Sequence, residues 1–165
     1  MTEFEKLMAI MKRLRDKDTG CPWDSVQTHD SLKAPIIEEA CEVVSGINII
    51  TETGNSDNLC VDLGGRRIIK KLQTIIAEEE GCFTMDDVIS CISEKMIRRH
   101  PHVFGSGEAD TVDEVLKNWN EIKAEEKAKK QIDEAPYLFN AFDEANKLIE
   151  KAKARKLEKQ QSKKA

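Results

Sequence analysis

Apolar residues recur every three to four positions through nearly the whole chain, and few glycines or prolines interrupt them. That period suits one face of an α-helix and does not fit the alternation of a half-buried strand. Phe4, Leu7, Met8, Met11 and Leu14 predict a first helix over about residues 2–16, ended by Asp16–Gly20. Ile36, Ile37, Ala40, Val43, Val44 and Ile47 predict a second, capped by Asp30 or Ser31, with Pro35 tolerated in its first turns. A third carries Leu59, Leu63, Ile68, Leu72, Ile75 and Ile76 up to Gly81. Thr84 with Asp86 and Asp87 starts a fourth, whose stripe is Val88, Ile92 and Met96. His100–Gly107, with a proline and two glycines, reads as a loop. Thr111 and Glu114 form a capping box for a fifth helix, with Val115, Leu116, Trp119 and Ile122 inward. After a break near Asp133–Pro136, a last helix runs from Leu138 through Phe142 and Ile149 into a basic tail. The expected fold class is all-α, a bundle of about five to six helices.

Length and charge narrow the function. The chain has 165 residues, enough for one domain with a core, and a net charge of −5. The charge is uneven: Lys147–Ala165 holds eight Lys/Arg and two Glu, net +6, which leaves −11 on the rest. An acidic body is a poor nucleic-acid platform and a plausible binder of cations. The tail reads as the solvated end of the last helix, with nucleic-acid contact as the lesser alternative. No apolar run reaches the length of a membrane span, and Met1–Lys6 lacks the pattern of a secretory leader. Five cysteines, with no CxxC pair, read as reduced thiols in a cytoplasmic protein.

The strongest local signal is Glu38-Glu39-Ala40-Cys41-Glu42. Glu38 and Glu42 are i,i+4 neighbours and Glu39 and Glu42 are i,i+3 neighbours, so like charges repel on one helix face. Mg²⁺, which takes oxygen ligands and keeps waters for substrate phosphates, would relieve that repulsion. The alternative is a solvated acidic face, although the flanking apolar residues put at least one Glu near the buried side. Asp62 lies on the third helix, before Gly64-Gly65-Arg66-Arg67, where two glycines suggest a helix start or irregularity. Lys95 and Arg99 are one turn apart and suit either a helix C-terminus or a phosphate. Trp119 and Lys123 have the same spacing. The indole reads as core, or as a platform for a base beside a lysine for phosphate. His100 and His102 lack further ligands and are not read as a metal site.

Gly20-Cys21-Pro22-Trp23-Asp24, Gln27-Thr28-His29, Glu38–Val44, Ala77–Gly81, Arg98–Gly105 and Asn118–Lys123, in that order, resemble the MazG family of nucleoside triphosphate pyrophosphohydrolases. The match covers residues 2 to about 155 and is similar to the first domain of two-domain members. It implies a MazG-like domain over 1–132 and a C-terminal helix with basic tail over 133–165. It implies Mg²⁺-dependent hydrolysis of nucleoside triphosphates to monophosphate and pyrophosphate, usually by a homodimer. Glu39 and Glu42 match the family's ExxE metal motif, and Glu38 the acid that precedes it, as a ligand or a water-orienting group. Lys95, Arg99, Trp119 and Lys123 match nucleotide-binding positions. The family's second motif, ExxD, falls on Asp62 and Gly65, so one carboxylate is shortened and the other has no side chain. Arg66, Arg67, Lys70 and Lys71 stand where relatives bury a helix, and are expected to be wet, against a tight dimer contact. The alternative to an enzyme is a degenerate relative that binds nucleotide or a protein partner.

Overall fold

The computed structural model describes residues 1–130 and 133–162, with the side chains of 66–70 and 159–160 outside that description. The described residues form seven α-helices and one 3₁₀ turn, with no strand. The all-α class is as expected, with more helices than the period alone suggested. The chain divides into two compact units, Met1–Cys82 with Phe139–Ala165, and Phe83–Leu138.

The first unit is built on α1 (Glu3–Leu14), a 3₁₀ turn (Asp24–Val26), α2 (Lys33–Thr53) and α3 (Asp57–Glu79). Thr2 caps α1 reciprocally with Glu5. The cap of α2 differs from expectation: Leu32 occupies the N-cap, with no side-chain bond. Asp30 instead pairs with Lys33 at 2.7 Å, while Ser31 and Thr28 exchange backbone-to-hydroxyl bonds at 2.9 and 3.2 Å. Gly54, at φ 76°, ends α2 in the left-handed conformation and lets the chain turn into α3. α3 runs unbroken through Gly64 and Gly65, so the glycines mark neither a start nor an irregularity. α2 and α3 are antiparallel, with Gly46 beside Leu59 and Asp62, and Gly65 beside Glu39. A Cβ on Gly46 would stand 3.0 Å from the Leu59 backbone, so this glycine permits the close approach.

The core of this unit joins Met11, Leu32, Leu72, Ile75 and Ile76, with Leu7, Met8, Leu14 and Ile36 packed against it. Arg15, 8% exposed, locks the following loop to the end of α3. Its guanidinium donates twice to Glu79, at 2.8 and 2.6 Å, and to the carbonyls of Asp24 and Gln27 at 2.8 and 3.1 Å. The hydrogen bond from Arg15 holds the Glu79 carboxyl below its ordinary range. Lys71, expected to be wet, is buried. Its ammonium lies 4.3 Å from the Phe4 ring centroid. Arg66, Arg67, Lys70 and Ile68 lie outside the described side chains.

The second unit holds α4 (Met85–Arg99), α5 (Pro101–Phe104), α6 (Val112–Ala128) and the start of α7 (Ala135–Ser162). The expected capping box of Thr111 with Glu114 forms, and Thr84 caps α4 as expected, with Asp87 completing a second box. The segment read as a loop contains the one-turn helix α5. Pro101 sits in its first turn, where a missing N–H costs nothing, and its carbonyl accepts from Gly105 and Gly107 at 3.0 and 3.1 Å. Val115, Trp119 and Ile122 are half-buried. Val88, Ile92 and Leu116, assigned to inward stripes, are exposed. No helix among the described residues is long and apolar enough to cross a membrane.

Arg15→Ala removes four charge-assisted bonds around a buried site. It should lower unfolding free energy by about 2 kcal/mol, read from urea denaturation.

Candidate active site

The antiparallel pair gathers the acids that the sequence singled out. Glu38, Glu39 and Glu42 lie on α2 and Asp62 on α3. Glu39 is half-buried, as the flanking apolar residues required. Its carboxyl is pushed above the ordinary range, first by burial and then by the charges of Glu42, Asp62 and Glu38. Two helices therefore press four carboxylates into one electrostatic neighbourhood. Gly65 faces the same acid: a Cβ built there would collide with the Glu39 carboxylate. Asp62 Oδ2 lies 3.0 Å from the position a Gly46 Cβ would take. Both small residues thus make room for carboxylates.

All four groups are hard oxygen donors, the chemistry that Mg²⁺ takes, and their mutual repulsion is what a divalent cation relieves. Among the described residues no three acids, histidines or cysteines are drawn together as a ready metal cage. Two of the four are turned to other partners. Glu38 accepts from Arg155, and Glu42 accepts from Lys156 at 3.1 Å, both cations on α7. The sequence reading left that tail in solvent. Its excess of positive charge was legible, but not where it lands.

The cations of the second unit form a separate group. Lys95, Arg98, Arg99 and Lys123 line one groove of about 1070 Å³, together with Glu125 and Glu126. Lys95 is half-buried and Lys123 exposed. Arg99 is 9% exposed and stacks over Trp119 at 5.0 Å, with His100 edge-on to the same indole at 5.0 Å. Glu126, unnoticed in the sequence, bridges α6 to α4. It accepts from Arg98 at 2.7 Å and from Arg99 at 3.0 and 2.5 Å. The bond from Arg99, with help from Arg98, pulls its carboxyl down to about 2. Arg99 is therefore already neutralised, while Lys95 and Lys123 line the same groove without a carboxylate partner among the described residues.

The fold and this site define a class: an all-α protein whose antiparallel helix pair carries four carboxylates, with a cationic groove in a second helical unit. Residues 27–104 match the model of the MazG nucleotide pyrophosphohydrolase domain. The chain is 41% identical over 152 residues to the nucleoside triphosphate pyrophosphohydrolase/pyrophosphatase MazG of Thermotoga maritima. It is 37% identical over 152 residues to the nucleoside triphosphate pyrophosphohydrolase of Escherichia coli K12. Each match covers 90% of this chain and 56% of the relative, so the chain spans about half the length of these two proteins. A crystal structure of a mazG-related protein from Thermotoga maritima superposes with a TM-score of 0.57 at 25% identity, covering 73% of this chain and 98% of that one. The chain thus carries a match to the MazG domain over residues 27–104 and is similar to these pyrophosphohydrolases over nine tenths of its own length.

Gly64 has nothing within 4 Å of a built Cβ. Gly64→Ala should therefore stabilise α3 by about 1 kcal/mol. Gly65→Ala should gain less, because the Glu39 carboxylate must move; thermal unfolding compares the two. Glu126 supplies a pH signature. Its folded-state value lies below the ordinary 4.5, so its contribution is complete above that value and is lost as pH falls through about 2. Glu126→Gln should flatten that part of the urea-stability profile, followed by Trp119 fluorescence in a Trp23→Phe background.

Proposed function

We propose that the chain hydrolyses nucleoside triphosphates to the monophosphate and pyrophosphate with Mg²⁺ as cofactor. The observation that carries this reading is the gathering of Glu38, Glu39 and Glu42 on α2 with Asp62 on α3, where burial and the three neighbouring charges raise the Glu39 carboxyl and a divalent cation would relieve the repulsion. In this reading Glu38, Glu39, Glu42 and Asp62 hold the metal, and Glu38 or a neighbour orients the attacking water. When bound, Mg²⁺ neutralises phosphate charge and fixes the oxygens for in-line attack. Lys95, Arg99 and Lys123 bind phosphates, and Trp119 offers its indole to the base. Glu126 keeps the Arg99 guanidinium in place. The nucleotide substrate agrees with the names of the relatives and with a cytoplasmic site of action. A second copy of the chain is the expected partner. Val44, Ile47, Val61 and Leu63 on α2 and α3 are exposed apolar residues that such a copy would cover.

One observation favours a second reading, a non-catalytic nucleotide binder. Gly65 brings no carboxylate, and the Glu39 carboxylate lies against the space its side chain would fill.

The deciding experiment is pyrophosphate release from a panel of NTPs and dNTPs, with and without Mg²⁺. The enzyme reading expects metal-dependent release, lowered by about a hundredfold or more in Glu39→Gln and Glu42→Gln. No release from any nucleotide by a helical, folded sample would leave the binder. Gly65→Asp sharpens the result. Without Mg²⁺ it should lower the unfolding temperature, by adding a fifth carboxylate beside Glu39. With Mg²⁺ it should bind metal more tightly than the parent chain.

A further inference from the structure

Two cations of α7 meet two acids of α2. Early in this segment, Glu144 lies 3.6 Å from Lys33 at the start of α2. One turn apart on α2, Glu38 and Glu42 meet the consecutive residues Arg155 and Lys156. These contacts span 117 and 114 positions of chain, so they are tertiary and owe nothing to helix spacing. The paired side chains are between 31% and 61% exposed. Ion pairs that wet are weak and exchange readily with solvent ions. The tail therefore covers two of the four carboxylates with displaceable positive charge; of the remaining two, Glu39 lies against Gly65, which brings no carboxylate of its own.

We propose that the C-terminal segment of α7 is a built-in competitor for the metal: Arg155 and Lys156 hold Glu38 and Glu42, and loading with Mg²⁺ requires this segment to leave α2. The proposal rests on the metal reading above. It makes α7 a regulator of metal loading. Anything that engages the basic tail, such as a polyanionic surface, would raise the protein's affinity for Mg²⁺ without touching the acids.

Calorimetric titration of the full chain with Mg²⁺ alone, with no nucleotide, tests this. Arg155→Ala/Lys156→Ala should bind Mg²⁺ about threefold to tenfold more tightly than the parent, the scale of two exposed ion pairs. Lys147→Ala/Lys151→Ala removes the same charge from α7 without touching the acids, and should change affinity less than about twofold. Hydrogen exchange of the backbone around 150–158 should rise in the parent chain on saturation with Mg²⁺. Equal tightening in both double variants would reduce the effect to net charge and overturn the proposal. No tightening in Arg155→Ala/Lys156→Ala, or no change in exchange, would also overturn it. If neither the parent nor any variant binds Mg²⁺, the metal reading itself fails and the competitor falls with it.

Discussion

The close antiparallel approach of α2 and α3 decides where the carboxylates stand. It depends on Gly46, where a side chain would meet the Leu59 backbone, and it brings Asp62 to the helix that bears Glu38, Glu39 and Glu42. Repulsion among these acids opposes the approach, and burial of Glu39 adds to the cost. The apolar contacts of Leu72, Ile75 and Ile76 with α1 and Leu32 lie toward the other end of α3 and supply the opposing stabilisation. Structure and site thus divide α3 between them. Its first half carries the charge conflict, and its second half carries the core.

Compensation for buried or crowded charge recurs in both units, in different forms. Arg15 is buried but fully engaged, by one carboxylate and two carbonyls. Lys71 is buried against an aromatic ring. Arg99 is held between Glu126 and Trp119. In the acid cluster the compensation is the weakest, two exposed pairs from α7. That weakness separates a structural ion pair from one that a ligand can replace.

Much of the fold was legible. All of the helices except α5 follow their apolar periods, and Thr84 and Thr111 cap as their sequences require, because caps are local chemistry. The misreadings have physical causes. Pro101 was taken for a breaker, although a proline is acceptable in the first turn of a short helix. Lys71 was placed in solvent, because a lysine's stem and head respond to different surroundings. The stripe at Val88 and Ile92 is real in spacing, but spacing does not supply something to pack against.

The sequence by itself determined that the chain is helical, where α4 and α6 begin, and that its carboxylates at 38, 39 and 42 share a helix face. These follow from interactions within a few residues. Resemblance to the MazG family was equally legible, in motifs strung along the chain. Tertiary structure alone decided that Asp62 and Gly65 stand against Glu39, that Glu126 bridges Arg98 and Arg99, and that Arg155 and Lys156 reach back to Glu38 and Glu42. Each joins groups far apart in the chain, and no local period encodes which distant charge will meet which. That choice belongs to the packing of helices, which brings some charges within a few ångströms of each other and leaves others in water.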